Sequence, residues 1–376
     1  MGKFIPVCEP MLAGNELKYV TDAVSTGWIS SSGTYVNRFE EEFAKYCDCK
    51  YAVSVCNGTI ALHLALVSLG IGKGDEVILP SFTMIASAFA VCYTGAKPVF
   101  VDADKETFNM DVTKLEALIT PQTKAIMPVH IFGKMCDMDP IVALAKKYNL
   151  FIVEDAAEAH GATYKDKKAG SFSDMAAFSF FANKNITTGE GGMVVTNDEA
   201  IYQKAKYFKN VCFPVTGPRN YTHDDIGFNY RMSNVVAAIG LAQVERADDY
   251  RAMRIHNNQL YRQFLKDVPG IIWQAAPEAG CTDVCWMNTI VLDPEKFGHT
   301  KDETVVYLKT QGIDTRLLFN GMHHQKSLKD YGCDCSGEYP VTDWLNENGF
   351  YLPSASSLSE EDIKFICDTI IAYQKA

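Results

Sequence analysis

A lysine and two carboxylates follow apolar runs of this sequence, and their chemistry is that of imine formation and proton transfer. Lys184 comes soon after the run Phe178–Phe181, while Asp155 and Glu158 follow an apolar run that begins at Leu150. A partly buried lysine shifts its pKa readily, so its neutral amine can act as nucleophile and base. A carboxylate in this position either caps a helix or pairs with a protonated ring nitrogen of a ligand. Asp155 and Lys184 are 29 residues apart, which assigns them to the ends of different strands.

Small polar residues at 54–59 end another apolar run and open a stretch with helical spacing. A helix that begins there leaves backbone N–H groups free at its positive end, where a phosphate binds well. The alternative is a plain N-cap by Asn57 or Thr59. Glycines 189, 191 and 192 surround Glu190, which indicates backbone turns with positive φ or close approach to a ligand.

These segments together meet the needs of one cofactor, pyridoxal 5′-phosphate (PLP). PLP requires a lysine for covalent attachment and a cup for its phosphate. It also requires an acid that keeps its pyridine nitrogen protonated, so that the ring acts as an electron sink. Lys184, residues 54–59 and Asp155 supply these three parts. The sequence therefore predicts a PLP-dependent enzyme.

The elements that must position these residues alternate between strand and helix. Periodicity predicts strands at 51–56, 76–79, 98–102, 125–129, 150–154, 176–180 and 192–196. It predicts helices at 15–25, 34–47, 59–69, 86–93, 112–118 and 140–148. Such alternation is typical of an α/β domain whose mostly parallel sheet is covered on both faces. Ligands bind such sheets at the carboxyl ends of the strands.

The pattern changes after a long amphipathic stretch at 234–264. A strand at 287–292 and helices at 301–310 and 359–373 predict a smaller C-terminal α+β domain. We expect a large cofactor-binding domain over residues 1–250 and a small domain over residues 251–376.

Composition excludes several classes of partner. The 376 residues are 47% hydrophobic, enough for a sizeable core, and the net charge is −11. Nucleic acid and anionic membranes both need a basic patch, so neither is expected as a partner. We see no secretory leader and no continuous apolar run of about 18 residues, and we expect a cytoplasmic protein.

The 12 cysteines include two close pairs, Cys281 with Cys285 and Cys333 with Cys335. A zinc site built from four thiols is conceivable. The spacings differ from the usual pairs separated by two residues, so we favour free thiols in a reducing compartment and expect no metal.

The sequence resembles the DegT/DnrJ/EryC1/StrS family of sugar aminotransferases, which are PLP enzymes with the aspartate aminotransferase (type I) fold. The matching runs are EDAAEAHGATYKDKKAGSFSDMAAFSFFANKNITTGEGGMVVTND, CNGTIALHLAL and GFNYRMSNVVAAIGLAQ. The resemblance covers most of the chain and several separate motifs occur in the same order. It implies the type I fold: an α/β domain with a mostly parallel sheet, and a smaller C-terminal α+β domain.

The resemblance also implies roles for individual residues around the cofactor. Lys184 matches the lysine that holds PLP, Asp155 matches the partner of the pyridine nitrogen, and Glu158 matches a residue near the 3′-oxygen. The residues that match the phosphate site are Gly58, Thr59 and Ser179. Many relatives place an aromatic residue over the ring where this chain has Met84, and we expect the thioether to lie against the ring instead.

Further matches imply an active site shared between two subunits and a set of residues that line the substrate site. Asn229 matches a residue that reaches the cofactor of the neighbouring subunit, so a homodimer is implied. The residues expected to wall the sugar and its diphosphate are Trp28, Ser30, Arg316 and His323. The planar fork of Arg316 suits a diphosphate, although a surface ion pair is the alternative for Arg316 and core packing for Trp28. Residues 212–225 depart from the relatives in detail, although Arg219, Tyr221 and His223 fit their pattern.

The resemblance implies transfer of an amino group from L-glutamate, which becomes 2-oxoglutarate, to C4 of a nucleotide-linked 4-keto-6-deoxy sugar. Within the family it favours GDP-4-keto-6-deoxymannose, and hence a place in O-antigen and lipopolysaccharide biosynthesis. A UDP- or dTDP-linked sugar and a 3-keto acceptor are alternatives, and a PLP-binding regulator without turnover is a remote one. A 3-dehydratase of this family has histidine in place of the lysine, and Lys184 argues against that chemistry.

Overall fold

A computed structural model of the chain describes residues 3–217 and 221–375, so that Arg219 lies outside the described residues. The α-helices are α1 (Glu16–Ser25), α2 (Thr34–Tyr46), α3 (Gly58–Ser68), α4 (Ile85–Tyr93), α5 (Met138–Tyr148), α6 (Glu199–Lys209), α7 (Asn234–Val244), α8 (Ala247–Phe264), α9 (Pro294–Phe297), α10 (Lys301–Thr310), α11 (Lys326–Tyr331), α12 (Pro340–Asn348) and α13 (Glu360–Gln374). The strands are β1 (Tyr51–Val55), β2 (Glu76–Pro80), β3 (Lys97–Val101), β4 (Thr123–Ile126), β5 (Phe151–Asp155), β6 (Thr163–Tyr164), β7 (Lys167–Lys168), β8 (Met175–Ser179), β9 (Gly192–Thr196), β10 (Ile271–Trp273), β11 (Asn288–Leu292), β12 (Arg316–Leu317) and β13 (Gly349–Leu352).

The first large sheet has seven strands in the order β1-β9-β8-β5-β4-β2-β3. Its strands are short apolar runs that are buried because helices cover both faces. The pairs from β3 to β8 are parallel, whereas β9 runs antiparallel to both β8 and β1. The sheet is thus mostly parallel, as predicted.

The antiparallel pairing of β8 with β9 explains where Lys184 lies. Ser179 is in register with Gly192, so the connecting loop over 180–191 turns back directly and needs no crossover helix. Lys184 lies in this loop, at the carboxyl end of β8. The strand β1 runs parallel to β8 because each is antiparallel to β9, so the end of β1 meets the same edge of the sheet.

The second sheet has four antiparallel strands in the order β10-β11-β13-β12. Its core includes Ile290 and Leu292 of β11, with Tyr261 of α8 and Ile366 of α13 packed against them. Ile5 from the start of the chain joins this core and forms an isolated bridge with Ile313. The two short strands β6 and β7 form a separate hairpin.

One predicted helix differs from the structure. The stretch 112–118 forms two short 3₁₀ helices, Val112–Lys114 and Glu116–Leu118, instead of an α-helix. Its β-branched start and Pro121 just beyond it both disfavour continued α-helical turns.

The amphipathic stretch 234–264 forms two helices, because the chain turns between α7 and α8. Tertiary hydrogen bonds hold the turn: the Glu245 carboxylate accepts from Tyr19 Oη at 2.6 Å and Asn15 Nδ2 at 2.8 Å, and Arg246 donates to Ala13 O at 2.8 Å. Among the described residues, no helix has both the length and the apolar character needed to cross a bilayer.

Candidate active site

Lys184 is buried beside one carboxylate and one aromatic face. Its Nζ lies 3.7 Å from Oε1 of Glu158 and 3.6 Å from the ring centroid of Trp286. Burial lowers the pKa of Lys184, because water no longer stabilises the ammonium, and the charges of Glu158 and Asp155 offset only part of this. The neutral amine is therefore easier to reach than for a surface lysine.

Asp155 ends β5 and is buried at the same edge of the sheet. Its Oδ2 accepts a hydrogen bond from Ser87 Oγ at 2.7 Å, and its Oδ1 accepts from the backbone N–H of Ala157 at 3.2 Å. Thr83 Oγ1 lies 3.0 Å from Ser87 Oγ and extends this chain of hydroxyls. Burial raises the pKa of Asp155, whereas the Ser87 hydrogen bond and the Lys184 charge lower it. A cationic ligand group would relieve the cost of keeping this carboxylate charged.

Glu158 faces Lys184 from the turn that follows β5. The backbone N–H of Phe132 donates to its Oε2 at 2.8 Å, and Phe132 adopts a positive φ of 58° to do so. Burial raises the pKa of Glu158 to about 7, against the opposing effect of Lys184. Glu158 is therefore able to carry or release a proton near neutral pH.

The N-terminus of α3 lies against Ser179. The Asn57 side chain caps the helix by accepting from Ile60 N at 3.0 Å, as the N-cap interpretation predicts. Within the described part of the chain, the N–H groups of Gly58 and Thr59 have no acceptor. A Cβ on Gly58 would lie 2.6 Å from Cβ of Ser179, so only glycine permits this approach. Free amides beside a hydroxyl at a positive helix end suit a phosphate.

These observations fit PLP. The unpaired amides of Gly58 and Thr59 with Ser179 match a phosphate, and the buried carboxylate of Asp155 matches a protonated ring nitrogen. Lys184 follows β8, which lies between β1 and β5 in the strand order of the sheet. It therefore supplies a buried amine between the predicted phosphate site and Asp155. The chemistry of the donor set thus agrees with the cofactor that the sequence predicts.

Four other residues predicted for this site are exposed. Met84 precedes α4 and is 51% exposed. Asn229 is also exposed, and its backbone forms an isolated β-bridge with Asn210. Trp28 and Ser30 are exposed, and their carbonyls accept hydrogen bonds from Asn234 of α7. Exposure of Trp28 contradicts the core-packing alternative.

Arg316 and His323 have partners of their own. The Arg316 guanidinium is exposed and pairs with Asp314 at 2.6 Å, which matches the surface ion-pair alternative. His323 is buried and bonds to Ser81 Oγ and Asp343 Oδ1. Neither side chain forms a hydrogen bond with Lys184, Asp155 or Glu158 among the bonds of the described residues.

Sequence patterns missed three side chains that support the site. Ser87 orients Asp155, and Trp286 lies under Lys184 with its indole N–H donating to Asn183 O at 2.9 Å. Buried Arg254 of α8 donates to Trp286 O at 2.7 Å and to Ser356 Oγ at 2.9 Å. No local signal identifies them, since each comes from a distant element.

All 12 cysteines are free thiols in the structure. Over residues 3–217 and 221–375, the one group of three or more potential metal ligands contains no cysteine. The pairs at 281/285 and 333/335 therefore do not form the four-thiol zinc site considered from the sequence.

Comparison with known proteins agrees with a PLP-binding site. The sequence profile of the DegT/DnrJ/EryC1/StrS aminotransferase family matches residues 10–371. A GDP-perosamine synthase of Caulobacter vibrioides is 46% identical over 368 residues, covering 98% of this chain and 96% of that protein. A GDP-perosamine synthase of Escherichia coli O157:H7 is 44% identical and covers 98% of both chains. The crystal structure of S. venezuelae DesV superimposes with a TM-score of 0.91 at 32% identity, covering 99% of each chain.

Proposed function

The chain belongs to the DegT/DnrJ/EryC1/StrS aminotransferase family and has its type I PLP-dependent fold, and we propose that it converts GDP-4-keto-6-deoxymannose to GDP-perosamine. The amino donor in this proposal is L-glutamate, which leaves as 2-oxoglutarate. The observation that carries the substrate is full-length similarity to enzymes named GDP-perosamine synthase. The buried lysine and carboxylates of the site support the chemistry.

Some residues of this chain transfer protons, and others bind the cofactor and the substrate. Bound PLP would supply an electron sink that stabilises negative charge on the substrate carbon that bears the transferred amino group. Lys184 Nζ takes the proton from Cα of L-glutamate in the first half-reaction and supplies one to C4 of the sugar in the second. Its lowered pKa supports this role, since a neutral amine is needed to accept a proton. Asp155, oriented by Ser87, holds the proton on the pyridine nitrogen.

The remaining cofactor residues bind and orient. Gly58, Thr59 and Ser179 hold the phosphate through free amides and a hydroxyl. Glu158 Oε1 lies 3.7 Å from Lys184 Nζ, and Glu158 would hold a proton near the cofactor's 3′-oxygen. Its raised pKa near neutrality supports this. Met84 covers the ring in place of an aromatic residue.

Substrate recognition in this proposal uses the outer residues. Arg316 exchanges its exposed ion pair with Asp314 for the diphosphate, which offers paired oxygens to its fork. Trp28, Ser30 and His323 wall the sugar. Asn229 reaches the partner's cofactor in a homodimer, and its exposure in one protomer supports this. The enzyme would act in the cytoplasm, where its product feeds O-antigen and lipopolysaccharide synthesis.

A panel of sugar nucleotides tests the substrate. Purified enzyme is incubated with L-glutamate and GDP-, UDP- or dTDP-linked 4-keto-6-deoxy sugars, and the amino sugar product is detected by its mass. We expect the highest turnover with GDP-4-keto-6-deoxymannose. A clear preference for a UDP- or dTDP-linked sugar would contradict the GDP assignment and leave the family assignment intact.

A further inference from the structure

Two adjacent histidines and an aspartate converge on one point outside the PLP residues. His323 and His324 lie on a short 3₁₀ helix, and Asp343 lies in the first turn of α12. Nε2 of His323 is 3.0 Å from Oδ1 of Asp343, and Nε2 of His324 is 2.7 Å from the same oxygen. The three potential ligand atoms all lie within 4.8 Å of one another.

The His323 ring is held in place from two further sides. Ser81 Oγ lies 2.8 Å from its Nδ1, and the Tyr339 ring stacks on it with centroids 4.5 Å apart. A hydroxyl can either donate to Nδ1 or accept from it. If Nδ1 donates to Ser81, the lone pair of Nε2 points towards Asp343 and is free to bind a metal. Metal-binding histidines in proteins are oriented in this way by a hydrogen bond to the other ring nitrogen.

The positions of the three side chains, one buried and two partly exposed, favour a bound cation. His323 is buried, and its Nε2 lies 3.0 Å from Oδ1 of Asp343, so its place beside the carboxylate is fixed. The side chains of His324 and Asp343 are 48% and 39% exposed, so water can complete the coordination shell. Without a cation, both Nε2–H groups must share one carboxylate oxygen. A cation in their midst would satisfy both nitrogens and the carboxylate.

We propose that His323, His324 and Asp343 form a binding site for a divalent transition metal, with Zn²⁺ as the expected ion. Two imidazoles and one carboxylate are ligands that Zn²⁺ accepts, with water in the fourth position. Mg²⁺ and Ca²⁺ prefer sites made of oxygen, which this cluster is not. The ion would join the 3₁₀ helix to α12 and, through Ser81, to the carboxyl end of β2. This inference does not depend on the identity of the sugar substrate.

Co²⁺ titration of the holoenzyme tests the site, because Co²⁺ substitutes for Zn²⁺ and its visible spectrum reports the ligands. After removal of metals with a chelator, we expect one equivalent of Co²⁺ to bind with ligand-field bands and without a thiolate charge-transfer band. Zn²⁺ should then displace it. His324→Ala and Asp343→Asn should each weaken Zn²⁺ binding at least tenfold in competition with a chromophoric chelator.

The matched control is His256→Ala, which removes an exposed histidine on α8, far along the chain from the cluster. It should bind Zn²⁺ as the unmodified enzyme does. Circular dichroism and thermal unfolding without metal check that each variant is folded. Absence of stoichiometric binding, thiolate charge transfer, or equal affinity in His324→Ala and the unmodified enzyme would each overturn the proposal.

Discussion

Loss of water decides the behaviour of the buried ionisable residues at this site. Burial lowers the pKa of Lys184 and raises the pKa values of Asp155 and Glu158, so each charge is stable only through its neighbours. The Nζ of Lys184 contacts both Glu158 and the face of Trp286. An amine held in this way is kept in place and loses its proton more readily than a surface lysine, which suits covalent attachment and proton transfer.

Replacement of Lys184 should abolish function while leaving the fold intact. We expect Lys184→Ala to lose the visible absorption of covalently held PLP and at least 1,000-fold in turnover, about 4 kcal/mol of transition-state stabilisation. The unmodified enzyme should lose that absorption on borohydride reduction. Lys204→Ala removes an exposed lysine of α6 and should change neither property. Full turnover in Lys184→Ala would disprove the assignment.

His160 gives a prediction about acid stability. Both ring nitrogens are buried without a hydrogen-bond partner among the residues that the structure describes, and the ring lies among Phe43, Phe178 and Phe180. Burial lowers the pKa of His160 to about 3, with the charge of Lys184 adding to the effect and the Ser179 backbone opposing it. The unfolded chain binds a proton there below about pH 6.5 and the folded chain does not, so stability falls as the pH falls below that value.

We therefore expect His160→Leu to reduce acid sensitivity. Between pH 7.5 and pH 5 the unmodified protein should lose about 2 kcal/mol more stability than the variant, measured by urea unfolding at each pH. His256→Ala removes an exposed histidine and should follow the unmodified protein. Parallel stability curves for His160→Leu and the unmodified protein would show that His160 is not the group responsible.

At the scale of elements, the edge of the seven-stranded sheet assembles the site. The carboxyl ends of β1, β5 and β8 meet there, because β5 pairs parallel with β8 and because β9 is antiparallel to both β8 and β1. The start of α3 packs on the end of β8, where Gly58 and Ser179 touch. This contact sets the width of the predicted phosphate cup.

A methyl group at Gly58 should disturb that cup. The added Cβ would lie 2.6 Å from Cβ of Ser179, so α3 or Ser179 must move. We expect Gly58→Ala to weaken PLP binding to the cofactor-free protein at least tenfold, about 1.4 kcal/mol, in an absorbance titration. Gly72→Ala is the matched control, since its Cβ would meet only Thr94 O at 3.7 Å. Equal PLP affinity in Gly58→Ala and the control would contradict the predicted phosphate site.

At the scale of the whole molecule, the second sheet has a core of its own with α8 and Ile5, and a further apolar cluster that includes Phe132, Val291 and Tyr351 joins it to the part of the chain that forms the first sheet. The division into a large domain over 1–250 and a small domain over 251–376 remains our proposal. Several large apolar side chains stay exposed on one protomer, among them Trp28, Ile29 and Ile226. In the homodimer that we propose, a partner subunit would cover such side chains.

Complementation tests whether two subunits share each site. Lys184→Ala and Asn229→Ala proteins are each expected to be inactive or nearly so. Mixed after subunit exchange, they should recover about a quarter of full activity, because half the dimers are mixed and each mixed dimer has one intact site. Exchange is verified with differently tagged subunits. No recovery despite proven exchange would show that Asn229 does not serve the partner's site.

The sequence alone determined the cofactor chemistry and most of the elements that carry it. Lys184 and Asp155 follow apolar strands in a recognisable order, and β9 (Gly192–Thr196) and α10 (Lys301–Thr310) have the predicted bounds. Such features depend on local spacing and on motifs that occur in one stretch of chain. Only the tertiary structure decided the contacts of Ser87 with Asp155, of Trp286 with Lys184, and of His324 with Asp343. Each of these joins residues from separate elements, and side-chain packing between elements leaves no periodic signal in the sequence. The turn between α7 and α8 was likewise decided by the tertiary structure, since hydrogen bonds with residues near the start of the chain hold it.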